Sequence, residues 1–269
     1  MPGTVEVQTS DAFCRVTLRN PGKLNAIDIG MWKALRAAFQ QLQALPANDA
    51  PGAVIVCGAD GNFAAGGDIA EFAGFRFDPA QLRHFHDEIV APALHAMLDC
   101  DLPVYAQIDG ACIGGGLEIA ACCDLRLCGS QSRFGVPTAK LGFPMAPIEV
   151  ALLSRVFGAS VLREMLLEAR LYDAGFALRH GLVHDVVPDM LNATADPAAV
   201  ATALRQRCER RATSLSPQAA RLNKQTLRQL AAGGLSAAAH AAHFSYANSA
   251  EHREGISAFI HKRAPRFRT

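Results

Sequence analysis

The sequence predicts an α/β protein, with a core of strands and helices joined by crossover connections and a helical region after it. Three observations carry this. The short, wholly apolar runs AVIVCG (53–58) and VYAQID (104–109) suit strands buried on both faces. Stretches with apolar residues at helical spacing separate them, the order expected when parallel strands are linked by helices. From Asp196-Pro197 onward strand signals fade, and stretches such as SPQAARLNKQTLRQL and LSAAAHAAHFSYANSA take over. The expected division is a core over residues 1–199 and a helical region over 200–269.

Each element follows from local pattern. TVEVQTSDAFCRVTLR (4–19) alternates apolar and polar residues and breaks at Ser10 and Asp11, which predicts a β-hairpin. After Pro21-Gly22, Asp28 is placed to cap a helix whose Met31, Trp32, Leu35, Phe39 and Leu42 share one face until Pro46. The AVIVCG strand and a glycine-rich loop come next. Asp78-Pro79 opens a second helix reaching about residue 99, and VYAQID supplies the following strand. A glycine stretch, a short helix and the strand DLRLCG (124–129) close the repeat of the pattern.

With 269 residues, half of them apolar, the chain is long enough to bury a sizeable core. A formal charge of +1 gives no global attraction for nucleic acid, so an anionic ligand must be recognised locally. No run approaches the roughly 18 apolar residues of a membrane span, and MPGTVEVQTSDAFCRV has neither the basic start nor the apolar centre of a signal peptide. A cytoplasmic protein is expected. Its eight cysteines are scattered without a CxxC pair in apolar surroundings, and are read as reduced, buried small hydrophobes.

Two loops share a layout of strand, small residues and helix start: GADGNFAAGGDIAEF (58–72) and DGACIGGGLEIA (109–120). Small residues leave backbone N–H groups accessible, and a helix N-terminus adds unpaired donors with partial positive charge. Such loops suit an anionic oxygen, although tight turns packed on neighbouring strands explain them equally well. Neither is a dinucleotide GxGxxG after a first strand nor a phosphate loop ending in GK[ST]. Within the second loop, Glu118 lies in LEIAACC, where a helix would be apolar nearly all round and buried. A buried, unpaired carboxyl has a raised pKa and exchanges protons near neutrality, which makes Glu118 a candidate acid or base. His180 and His184 have helical ligand spacing, but Gly181 between them marks a helix end. His84 and His86 point to different sides of a helix, and no metal is expected.

Five stretches, LRNPGKLNAID (18–28), FAAGGDI (63–69), LPVYAQIDGACIGGGLEIAACCDLRL (102–127), SRFGVPTAKLG (132–142) and EGISAFIHKRAPRF (254–267), in this order and spacing resemble the enoyl-CoA hydratase/isomerase (crotonase) family over nearly the whole chain. The resemblance implies a spiral of ββα units with a helical C-terminal region that drives assembly as a homotrimer or dimer of trimers. It implies an acyl-CoA thioester as substrate and no cofactor beyond the coenzyme A that the substrate carries. By position it assigns the two amide donors that hold the thioester oxygen to Ala65 and Gly115, and the first catalytic carboxylate to Glu118. Lys23, Leu24 and Ala26 match the segment along the coenzyme A path, Asp68 and Ile69 the adenine-side loop, and Phe259 and Lys262 residues that reach a neighbouring subunit's ligand. For the basic run KRAPRFR a solvated tail is an equal account.

One departure matters: where hydratases of the family carry a second carboxylate, this chain has Thr138, able only to bind substrate or orient a water. Glu149, in FPMAPIEVALL, is the nearest replacement, but a first-turn glutamate stabilised by its helix is the simpler account. The expectation is therefore an enoyl-CoA hydratase-like lyase. A double-bond isomerase and a weakly catalytic CoA-thioester-binding protein are the alternatives, and a hydrolase or decarboxylase of the same family a further one.

Overall fold

At the N-terminus the alternating stretch forms a hairpin, β1 (Thr4–Thr9) pairing antiparallel with β2 (Cys14–Arg19) from Thr4 opposite Arg19 to Thr9 opposite Cys14. Asp28 caps α1 (Ile29–Ala44), its Oδ1 accepting the Met31 amide at 2.7 Å. β3 (Val54–Gly58) then lies parallel to β2. In β3 the side chains of Val54 and Val56 join the main core while Ile55 packs in a second core on the other face, which is why the run is apolar throughout. The computed structural model describes residues 2–187 and 196–267; Met1, residues 188–195 and residues 268–269, including the last arginine of KRAPRFR, lie outside the described residues.

The stretch expected to be one helix to residue 99 is three segments: α2 (Pro79–His84), a wide π-helical turn over Phe85–Val90 and α3 (Ala91–Asp99). Pro92 is the physical reason. It has no N–H for the carbonyl four residues back, and its ring crowds that carbonyl, so the preceding turn widens and the Ala91 amide bonds to His86 O. The widened turn delivers Phe85, His86 and Val90 to one pocket wall.

Beyond α3 come β4 (Val104–Ile108), β5 (Ala111–Ile113), α4 (Gly115–Cys122), β6 (Leu125–Gly129), β7 (Arg133–Gly135), α5 (Pro147–Phe157), α6 (Ala159–Glu168), β8 (Tyr172–Asp173), α7 (Ala174–Arg179) and β9 (Asp185–Val187). The main sheet has the order β1-β2-β3-β4-β6-β9, parallel apart from the first pair, and β5-β7-β8 form a smaller one. From residue 197 the described chain is helical: α8 (Pro197–Thr213), α9 (Pro217–Ala231), α10 (Ala237–His243) and α11 (Ala250–Ile260). Here α8 is a layer of the core, since Leu204 and Cys208 cover Ile55, Tyr105 and Leu127 on the sheet. His180 ends α7 and His184 precedes β9, where its Nδ1 accepts the Arg126 amide at 3.1 Å.

No residue of α9 is buried, and polar contacts dock it. Asp101 accepts from Arg228 at 2.5 Å, Gln225 at 2.7 Å and Gln43 at 3.1 Å, while Lys224 reaches Asp124 at 2.7 Å and the Leu102 carbonyl at 2.8 Å. Burial pushes the Asp101 pKa up, but the hydrogen bonds from Gln225 and Gln43 and the Arg228 charge outweigh it, and the net shift is downward. A carboxyl held below its unfolded value stabilises above that value, and the stabilisation disappears as pH falls through the folded one. Asp101→Ala is expected to lower the local opening free energy of α9 by about 1–3 kcal/mol, seen as faster amide exchange over 217–231 than over α1. Unchanged exchange there would show that Asp101 does not hold the helix.

Candidate active site

The site is framed by backbone pairing between two loops distant in sequence. Leu24 and Asn25 both take left-handed backbone conformations, with φ of 48° and 56°. The buried Asn25 side chain fixes that turn, its amide donating to the Ala59 and Asn62 carbonyls at 2.8 Å each. The chain from 24 to 27 then pairs with the FAAGGD loop: Ala65 N–H donates to Leu24 O at 3.0 Å, Ile27 N–H to Gly66 O at 2.7 Å and Asp68 N–H to Ile27 O at 2.9 Å.

This pairing corrects the expected donor. The Ala65 amide is already committed to Leu24, so it is not free to hold a ligand oxygen. In a planar trans peptide N–H and C=O point in opposite directions. Because Gly66 O faces Ile27, the Gly67 N–H faces away from it, and no acceptor bonds to it among the described residues. A Cβ on Gly115 would lie 3.9 Å from the Gly66 carbonyl carbon, to which the Gly67 nitrogen is attached, so the two loops meet there. Gly115 opens α4, where its N–H has no acceptor in the helix. The pair of free amides belongs to Gly67 and Gly115.

Two other glycines make that meeting possible. Gly114 turns the chain at φ 49°, a value that disfavours a side chain. A Cβ on Gly116 would sit 2.4 Å from Ala64 O and 2.9 Å from Ala64 Cβ, so only glycine lets the helix approach. Trp32 packs beside Gly115, with its Cζ2 3.1 Å from the position a Cβ would take.

Beside the amides lies a pocket of about 110 Å³, several times the roughly 10–15 Å³ that one water needs by the same measure. Two carboxyl groups line it. Glu118, on α4, is 6 % exposed, so it is not the solvated first-turn glutamate that its position permits. Burial, reinforced by the negative charge of Glu149, pushes its pKa well up, with Arg76 opposing. Glu149 occupies the first turn of α5, as expected, but is 4 % exposed and lines the same pocket. Glu149 thus combines the expected helix-end position with burial in the pocket wall. His86 Nδ1 and Glu149 Oε1 are 2.5 Å apart, a contact between residues 63 positions apart in sequence.

Thr138 and Ile69 line the pocket as well, together with Phe72, Phe143 and Arg76. Lys23, Leu24, Ala26 and Asp68 do not. Lys23 Nζ is paired with the buried Asp68 at 2.5 Å; burial raises the Asp68 pKa, but this bond and the Ala70 amide hold it below the ordinary carboxylate range. Leu24 is half exposed and Ala26 buried. Phe259 and Lys262 stand exposed at the end of α11, outside the pocket. The sequence raises His86 only as a metal ligand to be set aside and does not single out Arg76. The sequence sign for the pocket position of His86 is Pro92 six residues later, the cause of the widened turn.

Paired free amides beside two buried carboxyls narrow the chemistry to reactions that place charge on an acyl oxygen while protons move nearby. The family model described as enoyl-CoA hydratase/isomerase matches residues 8–269. A protein named "Probable enoyl-CoA hydratase echA8" from Mycobacterium leprae is 32% identical over 254 residues, covering 94% of this chain and 93% of its own. "Enoyl-CoA hydratase domain-containing protein 3, mitochondrial" from Rattus norvegicus is 29% identical over 272 residues, covering 98% and 84%. The crystal structure of "an enoyl-CoA hydratase/ carnithine racemase" from Magnetospirillum magneticum superposes with a TM-score of 0.86 at 33% identity, covering 98% of this chain and 95% of the other. The architecture is the crotonase fold. With a family match over nearly its full length and that fold around the two amides, this chain belongs to the enoyl-CoA hydratase/isomerase family.

Proposed function

We propose that the protein adds water across the double bond of a 2-enoyl-CoA thioester. The observation that carries this reading is the second buried carboxyl: Glu118 and Glu149 line one pocket beside the free amides of Gly67 and Gly115. The thioester oxygen sits between the two amides. Glu149, held by His86, takes a proton from water as the oxygen bonds to the β-carbon, and the electron pair of the double bond moves through the α-carbon onto the thioester oxygen. Glu118, whose pKa burial and the Glu149 charge raise, is the proton donor and gives its proton to the α-carbon as the enolate collapses. The proton on Glu149 passes back to Glu118 to complete the cycle. Thr138 lies within the pocket wall and orients water or acyl group rather than exchanging protons.

The test follows the absorbance of the conjugated enoyl thioester. Its loss with a short 2-enoyl-CoA is the expected result, and Glu149→Gln is expected to lower kcat by about 10²–10⁴-fold. Appearance of that absorbance from a 3-enoyl-CoA, with no loss from the 2-enoyl compounds, would replace hydration by isomerisation. Binding of enoyl-CoA thioesters without turnover across a panel would leave a binding protein.

The rest of the reading is coarser. Leu227, Leu230, Phe244, Ile256, Phe259 and Ile260 on the C-terminal helices expose large apolar side chains, which supports a homotrimer or a dimer of trimers. No cofactor enters beyond coenzyme A in the substrate. Eight free, buried cysteines support a reducing, cytoplasmic setting, and among the described residues no helix is long and apolar enough to cross a membrane.

A further inference from the structure

Arg76 is the feature of the pocket that hydration of a simple enoyl chain does not use. Its guanidinium carbon lies 4.0 Å from the ring centre of Phe72 and 3.9 Å from that of Phe143. The two rings stand at 77° to each other, so they attract the cation from two directions while its N–H donors stay unpaired. No hydrogen bond or ion pair of the Arg76 side chain is present among the described residues, and its Nε is buried without an acceptor. The contrast with Arg126 is instructive: that buried arginine donates to the Leu182 carbonyl at 2.6 Å and the Cys123 carbonyl at 2.8 Å. A buried N–H without a partner is costly, and Arg76, half-buried in the pocket wall, has its other donors open to what the pocket takes up.

The surroundings limit what that is. Much of the remaining pocket wall is apolar, with Ile69, Phe85, Val90 and Met145, and it suits hydrocarbon. Glu149 is already engaged by His86, and neither Glu149 nor Glu118 is within ion-pair distance of Arg76. A planar fork of donors fits a carboxylate through two parallel hydrogen bonds.

We propose that Arg76 is an anion subsite for the acyl end of the substrate, which is therefore the mono-CoA thioester of an unsaturated dicarboxylic acid. This rests on the hydratase reading and adds the substrate class to it. The free carboxylate meets the edge of the guanidinium, the hydrocarbon between the two ends lies along Phe72 and Phe143, and the thioester stays at the Gly67 and Gly115 amides. The same guanidinium chemistry would also suit a phosphate of coenzyme A.

The experiment compares two 2-enoyl thioesters of one chain length, one ending in a carboxylate and the other in the isosteric carboxamide, each attached to coenzyme A and to pantetheine. The wild type is expected to favour the carboxylate in kcat/KM by about 100-fold or more with either carrier, and Arg76→Met to erase most of that ratio. Arg76→Lys, which keeps the charge without the fork, should retain part of it. A ratio near one in the wild type overturns the proposal. So does an Arg76→Met defect equal for both acyl ends, the signature of a residue that only balances the charge of Glu118 and Glu149. A defect confined to the coenzyme A thioesters assigns Arg76 to a phosphate and also overturns it. Calorimetric binding of the saturated carboxylate and carboxamide thioesters gives the same comparison without turnover. Preference in binding with no hydration would retain the subsite and reject the hydratase, whereas hydration with no preference would do the reverse.

Discussion

Glu118→Gln is expected to lower kcat for hydration by about 10²–10⁴-fold while making the protein more stable to heat. Both effects come from the same environment. The folded Glu118 pKa is raised by burial and by Glu149, whereas the unfolded chain has the ordinary value near 4.3. Between the two values the folded state binds the extra proton. Stability contributed by the group is thus present below the unfolded pKa and is lost as pH rises through the folded one. Glutamine has no proton to release, so the melting temperatures of variant and wild type should lie close together near pH 4 and separate as pH rises. A gain of about 1–2 kcal/mol at the upper end is expected, or roughly 2–8 °C for a chain of this size. A gap that does not change with pH would mean that Glu118 has the same pKa folded and unfolded, and a gap that turns against the variant as pH rises would mean that Glu118 is ionised and paired in the folded protein. With Glu118 intact, Glu149→Gln removes one cause of the upward shift, and the Glu118 limb of the pH–rate profile should move to lower pH than in the wild type.

Gly116→Ala is expected to be the most damaging single methyl group in the site. The added carbon would meet Ala64 O at 2.4 Å, and Ala64 cannot yield easily, because its N–H donates to Ala111 O at 2.8 Å and its carbonyl accepts the Ile113 amide at 2.9 Å. Overpacking of this kind destabilises by about 1–3 kcal/mol. The catalytic loss should be larger than the stability loss suggests. α4 must move away from the FAAGGD loop, which separates the Gly115 amide from that of Gly67, and a displacement of about 1 Å can lower a rate by roughly 10²-fold. Gly74→Ala is the control, since no atom lies within 4 Å of its added carbon and its φ is not in the left-handed region. Comparable activity in Gly116→Ala and the control would show that the close approach of the two loops is not needed.

Local pattern was enough for the elements that read one periodicity at a time. The hairpin, the α1 face, the doubly buried β3 and the apolar α4 around Glu118 depend on neighbours two to four residues away, and sequence displays that spacing directly. The donor pair was legible only as a region. Which amide of AAGGD remains free is set by its register against residues 24–27, and a shift of two positions from Ala65 to Gly67 leaves no trace in composition. The Glu149–His86 contact was beyond reach for a related reason, since it joins the first turn of α5 to a widened turn between α2 and α3. Arg76 lies in a loop without a sequence pattern, and only the two aromatic rings beside it single it out.

The chain contains a single tryptophan, Trp32, and its indole edge borders Gly115 in the pocket wall. Intrinsic emission therefore comes from one known place, with no background from a second indole. Any thioester that enters changes the polarity around that fluorophore, so the unlabelled protein is its own optical titration sensor.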